Sequence, residues 1–281
     1  MRIAIVHDAL CVAGGAERLA LRIAQTFPDA PVYTSVYLPD RTFQEYREMD
    51  VRVLPLARHI KSEMQFKSLF PLWFFLIQNL DFSDYDIVLS SSTYLAKYIH
   101  PPTSVIHKSY IHAPFRLLWK PELYTPDSIP HPHLFRPLLK LTLPLVRNLD
   151  RNLTQQIPQT ATSCNHVAKE IETIYQLSPT IINPPVNVEE YPLATTPGKY
   201  YLSVSRLISH KRVDLAVQAC TQLRKKLIVV GDGPERKNLE KLAGETVRFV
   251  GRVSDKALKE LYVNSRALIF PSYEDYGIVP L

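Results

Sequence analysis

Arg206 and Lys211 stand five residues apart in the stretch SRLISHKRVD. An apolar run precedes the stretch and an amphipathic one follows it, so both side chains fall on a loop between a strand and a helix. Two cations beside a helix N-terminus suit a diphosphate, and solvated surface charge is the plainer alternative. Gly231 and Gly233 in VVGDGPE mark a second strand–turn–helix junction. Glycine there either lets backbone N–H groups approach an anion or simply makes a turn. Gly14 and Gly15 in HDALCVAGGAER occupy the corresponding place after the first strand, with the same two readings. His112 in SYIHAPFRLLW ends a strand. Ligands bind at the carboxyl ends of strands in open parallel sheets, although a lone histidine is also commonly structural. Asp84-Tyr85-Asp86 has the Asp-x-Asp spacing of a metal motif, but it stands directly before a strand and reads as a turn or cap.

Several chemistries lack their residues. There is no G-x-S-x-G and no P-loop, which argues against common hydrolases and nucleotide triphosphatases. The first glycine loop lacks the third glycine of the dinucleotide fingerprint, which argues against an NAD-dependent oxidoreductase. Cys11, Cys164 and Cys220 are far apart and form no Cys-x-x-Cys pair, so no metal site is expected and a reducing compartment is. A formal net charge of +6 fits an anionic ligand or membrane surface. It is too diffuse for nucleic acid, and no arginine-rich or aromatic-basic motif is present.

The elements that would position these groups alternate in type. RIAIVHD, PVYTSVY, VRVLPL, DIVLSSS, SVIHKSYIH, TATSCN and TIINPPV read as strands, with helices over Glu17–Phe27 and HVAKEIETIY. A stretch with Pro184, Pro185, Pro192 and Pro197 then reads as a linker. KYYLSVSRL, KKLIVVGDG, VRFVGRV and RALIFPS follow as strands, separated by helices over VDLAVQACTQL, ERKNLEKLAG and DKALKELYVNS. This is an α/β chain of two doubly wound domains, 1–190 and 191–281. The apolar run Leu69–Ile77 is too short to span a bilayer. It reads as a buried helix or, following Arg58, His59, Lys61 and Lys67, as a surface resting on a membrane.

In this order, GGAER, DIVLSSS, SYIHAPFRLLW, INPPVN, SRLISHKRVD, VVGDGPE, FVGRVSD and IFPSYEDYGIVPL resemble the retaining glycosyltransferases of family 4. That resemblance implies the GT-B fold, two Rossmann-like domains facing a cleft, with a nucleotide-sugar donor as substrate and no cofactor or metal. It implies that Arg206 and Lys211 neutralise the diphosphate, with Gly231 on the neighbouring loop and Gly14 and Gly15 approaching from the first domain. Val250 and Arg252 would face the base, and His112 the donor sugar. Glu274 fits the first glutamate of the family's Glu-x7-Glu and would contact the transferred sugar with the turn of Tyr276, Gly277 and Ile278. His112, Arg206, Lys211 and Glu274 are thus the expected catalytic set.

The second glutamate would be residue 282, so the expectation is a truncated member whose second domain is incomplete. The expected activity is transfer of a hexose, with retention, to a glycan or lipid-linked acceptor in cell-surface polysaccharide or glycolipid synthesis. The YIHAPFRLLW stretch is similar to mannose-transferring members, which favours GDP-mannose over UDP-sugars. The alternative is a non-catalytic remnant that binds a sugar nucleotide or a partner. The expected location is the cytoplasm, with peripheral contact to the inner membrane face left open.

Overall fold

A computed structural model describes residues 1–123, 132–192, 196, 198–272 and 274–281. The chain divides into two compact units, Met1–Pro184 and Pro185–Leu281. The division falls inside the proline-rich stretch, between Pro184 and Pro185, a few residues before the expected boundary at 190. The short 3-10 turn Val188–Glu190 therefore goes with the second unit.

The first unit is a seven-stranded parallel sheet. Its strands are β1 (Ile3–His7), β2 (Val32–Thr34), β3 (Val51–Val53), β4 (Ile87–Ser92), β5 (Ile106–Ile111), β6 (Gln159–Thr162) and β7 (Thr180–Ile181). Their order is β3-β2-β1-β4-β5-β6-β7, so the winding reverses between β1 and β4. Helices α1 (Gly15–Thr26), α2 (Glu63–Ser68), α3 (Phe70–Gln78), α4 (Arg116–Trp119), α5 (Pro132–Gln155) and α6 (Asn165–Tyr175) connect them. Alternate residues of β1 serve two cores, as the two-residue period of a strand requires. Ala4 and Val6 pack with Trp73, Ile77 and Phe82, and Ile5 packs with Leu21, Ala24 and Tyr46.

The apolar run at 69–77 is a helix with one buried face. Trp73 and Ile77 are buried, whereas Phe75 is 64% exposed. No helix among the described residues is long and apolar enough to cross a membrane. Asp84 and Asp86 lie at the amino end of β4, where Asp86 Oδ2 accepts from the backbone N–H of Arg2 at 2.6 Å and Asp84 pairs with the Arg2 side chain at 3.9 Å. They tie the first residues of the chain to the amino edge of the sheet.

A buried ionic network fastens α4, α5 and α6 to the chain after β4. Asp150 accepts from Lys97 Nζ at 2.8 Å, Trp119 Nε1 at 2.5 Å and Tyr175 OH at 2.8 Å, and from Tyr98 OH. Lys97 also donates to Tyr175 OH at 2.9 Å. Burial alone would raise the Asp150 carboxyl, but Lys97, Tyr98 and Trp119 outweigh it and hold the group below the ordinary carboxylate range.

The second unit repeats the winding with fewer strands. β8 (Tyr201–Val204), β9 (Leu227–Val230), β10 (Val247–Gly251) and β11 (Ala267–Leu268) form a parallel sheet in the order β10-β9-β8-β11. The reversal lies between β8 and β11. Helices α7 (Val213–Gln222), α8 (Arg236–Leu242) and α9 (Asp255–Val263) join the strands. The core is built from Leu207, Val213, Val217, Leu227, Val229 and Leu239. Both units are Rossmann-like, as the alternating pattern predicts.

Candidate functional site

In an open parallel sheet the carboxyl edge at the winding reversal is left uncovered by connecting helices, and ligands enter there. The second unit's edge carries most of the candidate residues. After β8 the chain runs through Ser205 and exposed Arg206 to a short 3-10 turn, Ser209–Lys211, before α7. Leu207 is fully buried and anchors this loop. Backbone bonds tie it to the β9 loop: Leu207 N donates to Asp232 O at 3.0 Å, and Glu235 N to Leu207 O at 3.0 Å.

That anchoring explains the glycines of VVGDGPE. Gly231 has a φ of +125°, and a Cβ placed on it would sit 1.9 Å from Ser205 O. A Cβ on Gly233 would sit 2.3 Å from Leu207 O. Both glycines are needed because the β8 loop lies directly on this backbone. The structure thus gives Gly231 a packing role against the loop after β8.

The segment after β11 closes on the β8 loop. Lys211 Nζ donates to Glu274 Oε1 in a mostly buried ion pair, and Ser272 Oγ donates to Lys211 O at 3.0 Å. Lys211 and Glu274 are thus brought together at the reversal between β8 and β11. Tyr276, Gly277 and Ile278 form the following turn, in which Gly277 has a φ of +78°. On the far side of β9, pairing along β10 shifts between Phe249 and Gly251, which makes Val250 the extra residue of a bulge. Bulges re-aim side chains at strand ends. Exposed Arg252 follows at the same edge.

The first unit's edge carries Gly14, Gly15 and His112. Gly14 is the N-cap of α1 and Gly15 its first residue. His112 follows β5, and its Nε2 lies 2.8 Å from Ser91 Oγ at the end of β4. Ser91 Oγ is also 3.2 Å from Nδ1 of His7, the last residue of β1, and the two rings stand edge to face at 6.5 Å. Burial lowers the His7 pKa, against weaker raising effects of Asp8 and Ser91, so the ring is neutral at ordinary pH.

Asp8, next in the chain, accepts from Ser92 Oγ at 2.9 Å and from the backbone N–H groups of Thr93, Tyr94, Leu95 and Ala96 at 2.6–3.1 Å. One carboxylate thereby fixes the β4 loop to the end of β1. His7, Asp8 and Ser91 are residues that motif reading passes over. Their signal was present as polar residues inside apolar strands, RIAIVHD and DIVLSSS, where only a partnered polar group is tolerated.

Residues 190–281 match the family described as glycosyl transferases group 1. Over 350 aligned positions the chain is 24% identical to the alpha-1,3/1,6-mannosyltransferase ALG2 of Kluyveromyces lactis, covering all of this chain and 67% of that protein. Among solved structures, it is similar to Anabaena Alr3699/HepE in complex with UDP and glucose, with a TM-score of 0.63, 17% identity, and coverage of 97% of this chain and 74% of the other. It is also similar to Os79 from O. sativa in complex with UDP, with a TM-score of 0.54, 12% identity, and coverage of 94% and 75%. These likenesses show the GT-B type of fold, and the second unit, residues 190–281, is the part that matches the group 1 glycosyltransferases.

Proposed function

We propose that the chain transfers a hexose from a nucleotide-sugar donor to a glycan or lipid-linked acceptor with retention of configuration. The observation that carries this reading is the carboxyl edge of the second unit, where Lys211 pairs with Glu274 at the reversal between β8 and β11 and Arg206 lies exposed on the loop after β8. When the donor's bond from C1 to the diphosphate breaks, negative charge builds on the departing oxygen. Arg206 and Lys211 would stabilise it, which is the electrostatic form of transition-state stabilisation. The acceptor oxygen bonds to C1 from the same face, and its proton passes to the departing diphosphate. Fixed cations take the place of a divalent metal in this scheme.

Glu274 and the turn of Tyr276, Gly277 and Ile278 would contact the transferred sugar. Val250 and Arg252 would face the base, Gly14 and Gly15 would offer backbone donors, and His112 would contact the sugar. GDP-mannose is the favoured donor; the name of the Kluyveromyces lactis relative supports the mannose, and the Anabaena structure holds UDP and glucose. The acceptor is proposed to lie in cell-surface polysaccharide or glycolipid synthesis. Exposed Met64, Leu69 and Phe75, beside exposed Arg58 and Lys61, would rest on an anionic bilayer.

The test incubates the chain with GDP-mannose or a UDP-hexose and a lipid-linked acceptor, with and without EDTA. Metal-independent formation of the retained anomer supports the proposal. Donor binding without transfer would favour the non-catalytic alternative, and transfer restored only by manganese would remove the cation-clamp scheme.

A further inference from the structure

Three side chains from three different strand ends meet around one hydroxyl on the first unit: His7 at the end of β1, Ser91 near the end of β4 and His112 just after β5. Their hydrogen bonds fix where the protons lie. His7 Nδ1 is 3.0 Å from the carbonyl oxygen of Ser91, which can only accept. A ring nitrogen that faced this oxygen with its lone pair would be repelled, so Nδ1 carries a proton and donates to it. His7 therefore cannot accept from the Ser91 hydroxyl through the same atom, although Oγ lies 3.2 Å away. The Ser91 side chain is fully buried, and His112 Nε2, at 2.8 Å, is its other hydrogen-bond partner. The hydroxyl's proton must go there, since a buried hydroxyl left without an acceptor is costly.

We propose that His7 and Ser91 are positioning residues that hold His112 as its Nδ1–H tautomer, with Nε2 engaged as an acceptor. With Nε2 engaged by Ser91, His112 cannot serve as a general base through that atom. Resting on the reading that this edge takes the donor sugar, the fixed tautomer sets how the ring meets the sugar. The three residues lie at the ends of three neighbouring strands, β1, β4 and β5, so the ring orientation is set by the sheet.

The test is nitrogen NMR on the whole chain labelled with 15N-histidine, with His112→Gln used to assign the His112 signals. The expected result is a protonated Nδ1 and an unprotonated Nε2 on His112 at neutral pH without any ligand. Ser91→Ala should shift the ring towards the Nε2–H form while the far-UV spectrum stays unchanged, and should lower transfer by about tenfold, the order of one lost hydrogen bond. A protonated Nε2 on His112 in the unsubstituted chain overturns the proposal, as does a tautomer unmoved by Ser91→Ala. Should Ser91→Ala fail to fold, the unsubstituted chain alone decides. Failure of any sugar nucleotide to bind would sink the donor reading and leave the tautomer result intact.

Discussion

Lys211 Nζ donates to Glu274 Oε1 across 63 positions of sequence, and the pair sits where the second sheet reverses its winding. The glutamate thereby neutralises one of the two cations proposed to meet a diphosphate. Glu274→Gln removes the competing charge while keeping the shape. The substitution should tighten binding of GDP or UDP by about three- to tenfold, the scale of one charge-assisted hydrogen bond. Transfer should fall, because the carboxylate proposed to touch the sugar is gone. Calorimetric titration of the variant beside the unsubstituted chain measures the first effect. Weaker binding would mean that Glu274 helps the nucleotide directly instead of restraining Lys211.

The network around Asp150 should be a stability determinant with no part in chemistry. Removing one partner of a buried ion pair leaves an uncompensated charge and typically costs about 3–5 kcal/mol. Lys97→Met and Asp150→Asn should each lower the unfolding free energy measured by denaturant titration by that order, and the double substitution should cost less than the sum of the two. Additive losses would indicate that the two groups do not act as a pair.

The strands were legible in the sequence because their apolar residues are buried on one or both faces, and that pattern survives in β1, β4, β8 and β9. Helix α5 was not, since Pro137 and Pro144 read as breakers and yet lie within Pro132–Gln155. The cationic loop with Arg206 and Lys211 was readable from two charges beside a strand end. Its partner Glu274 could be connected to it only through family resemblance, because the pairing spans the fold. Asp8 was invisible for another reason. A single acidic residue after a strand looks like a turn, and its five donors come from residues 84 to 88 positions away.

Acid should destabilise the first unit before its carboxylates titrate. His107 lies against Ser90 Oγ at 2.9 Å, and burial, with a smaller push from His100, brings its pKa down to about 4. The folded state holds this ring neutral while the unfolded chain protonates it at about 6.5. Stability is therefore full above that value and is lost as pH falls from about 6.5 towards 4, by roughly 3 kcal/mol for this one group. Unfolding free energies measured across that window should show the slope, and His107→Gln should flatten it. A slope that His107→Gln leaves unchanged would assign the acid sensitivity to other groups.

Phe75 is the most exposed aromatic of the apolar patch on α2 and α3, at 64%. If that patch rests on anionic lipid, Phe75→Ser should reduce co-sedimentation with vesicles of mixed zwitterionic and anionic phospholipid by several-fold. Burial of one aromatic side chain stabilises by about 1.5–3 kcal/mol. Equal sedimentation of the two proteins, or none by either, would remove the membrane contact.

If the loop after β8 holds the diphosphate of a sugar nucleotide, GDP-mannose or a UDP-hexose titrated into the chain in EDTA should bind without metal. Arg206→Ala or Lys211→Ala should weaken that binding at least about tenfold each, at about 1.5–3 kcal/mol for a hydrogen bond to a charged group. A correctly folded Arg206→Ala, Lys211→Ala double variant that binds the nucleotide as tightly as the unsubstituted chain would contradict that role of the loop.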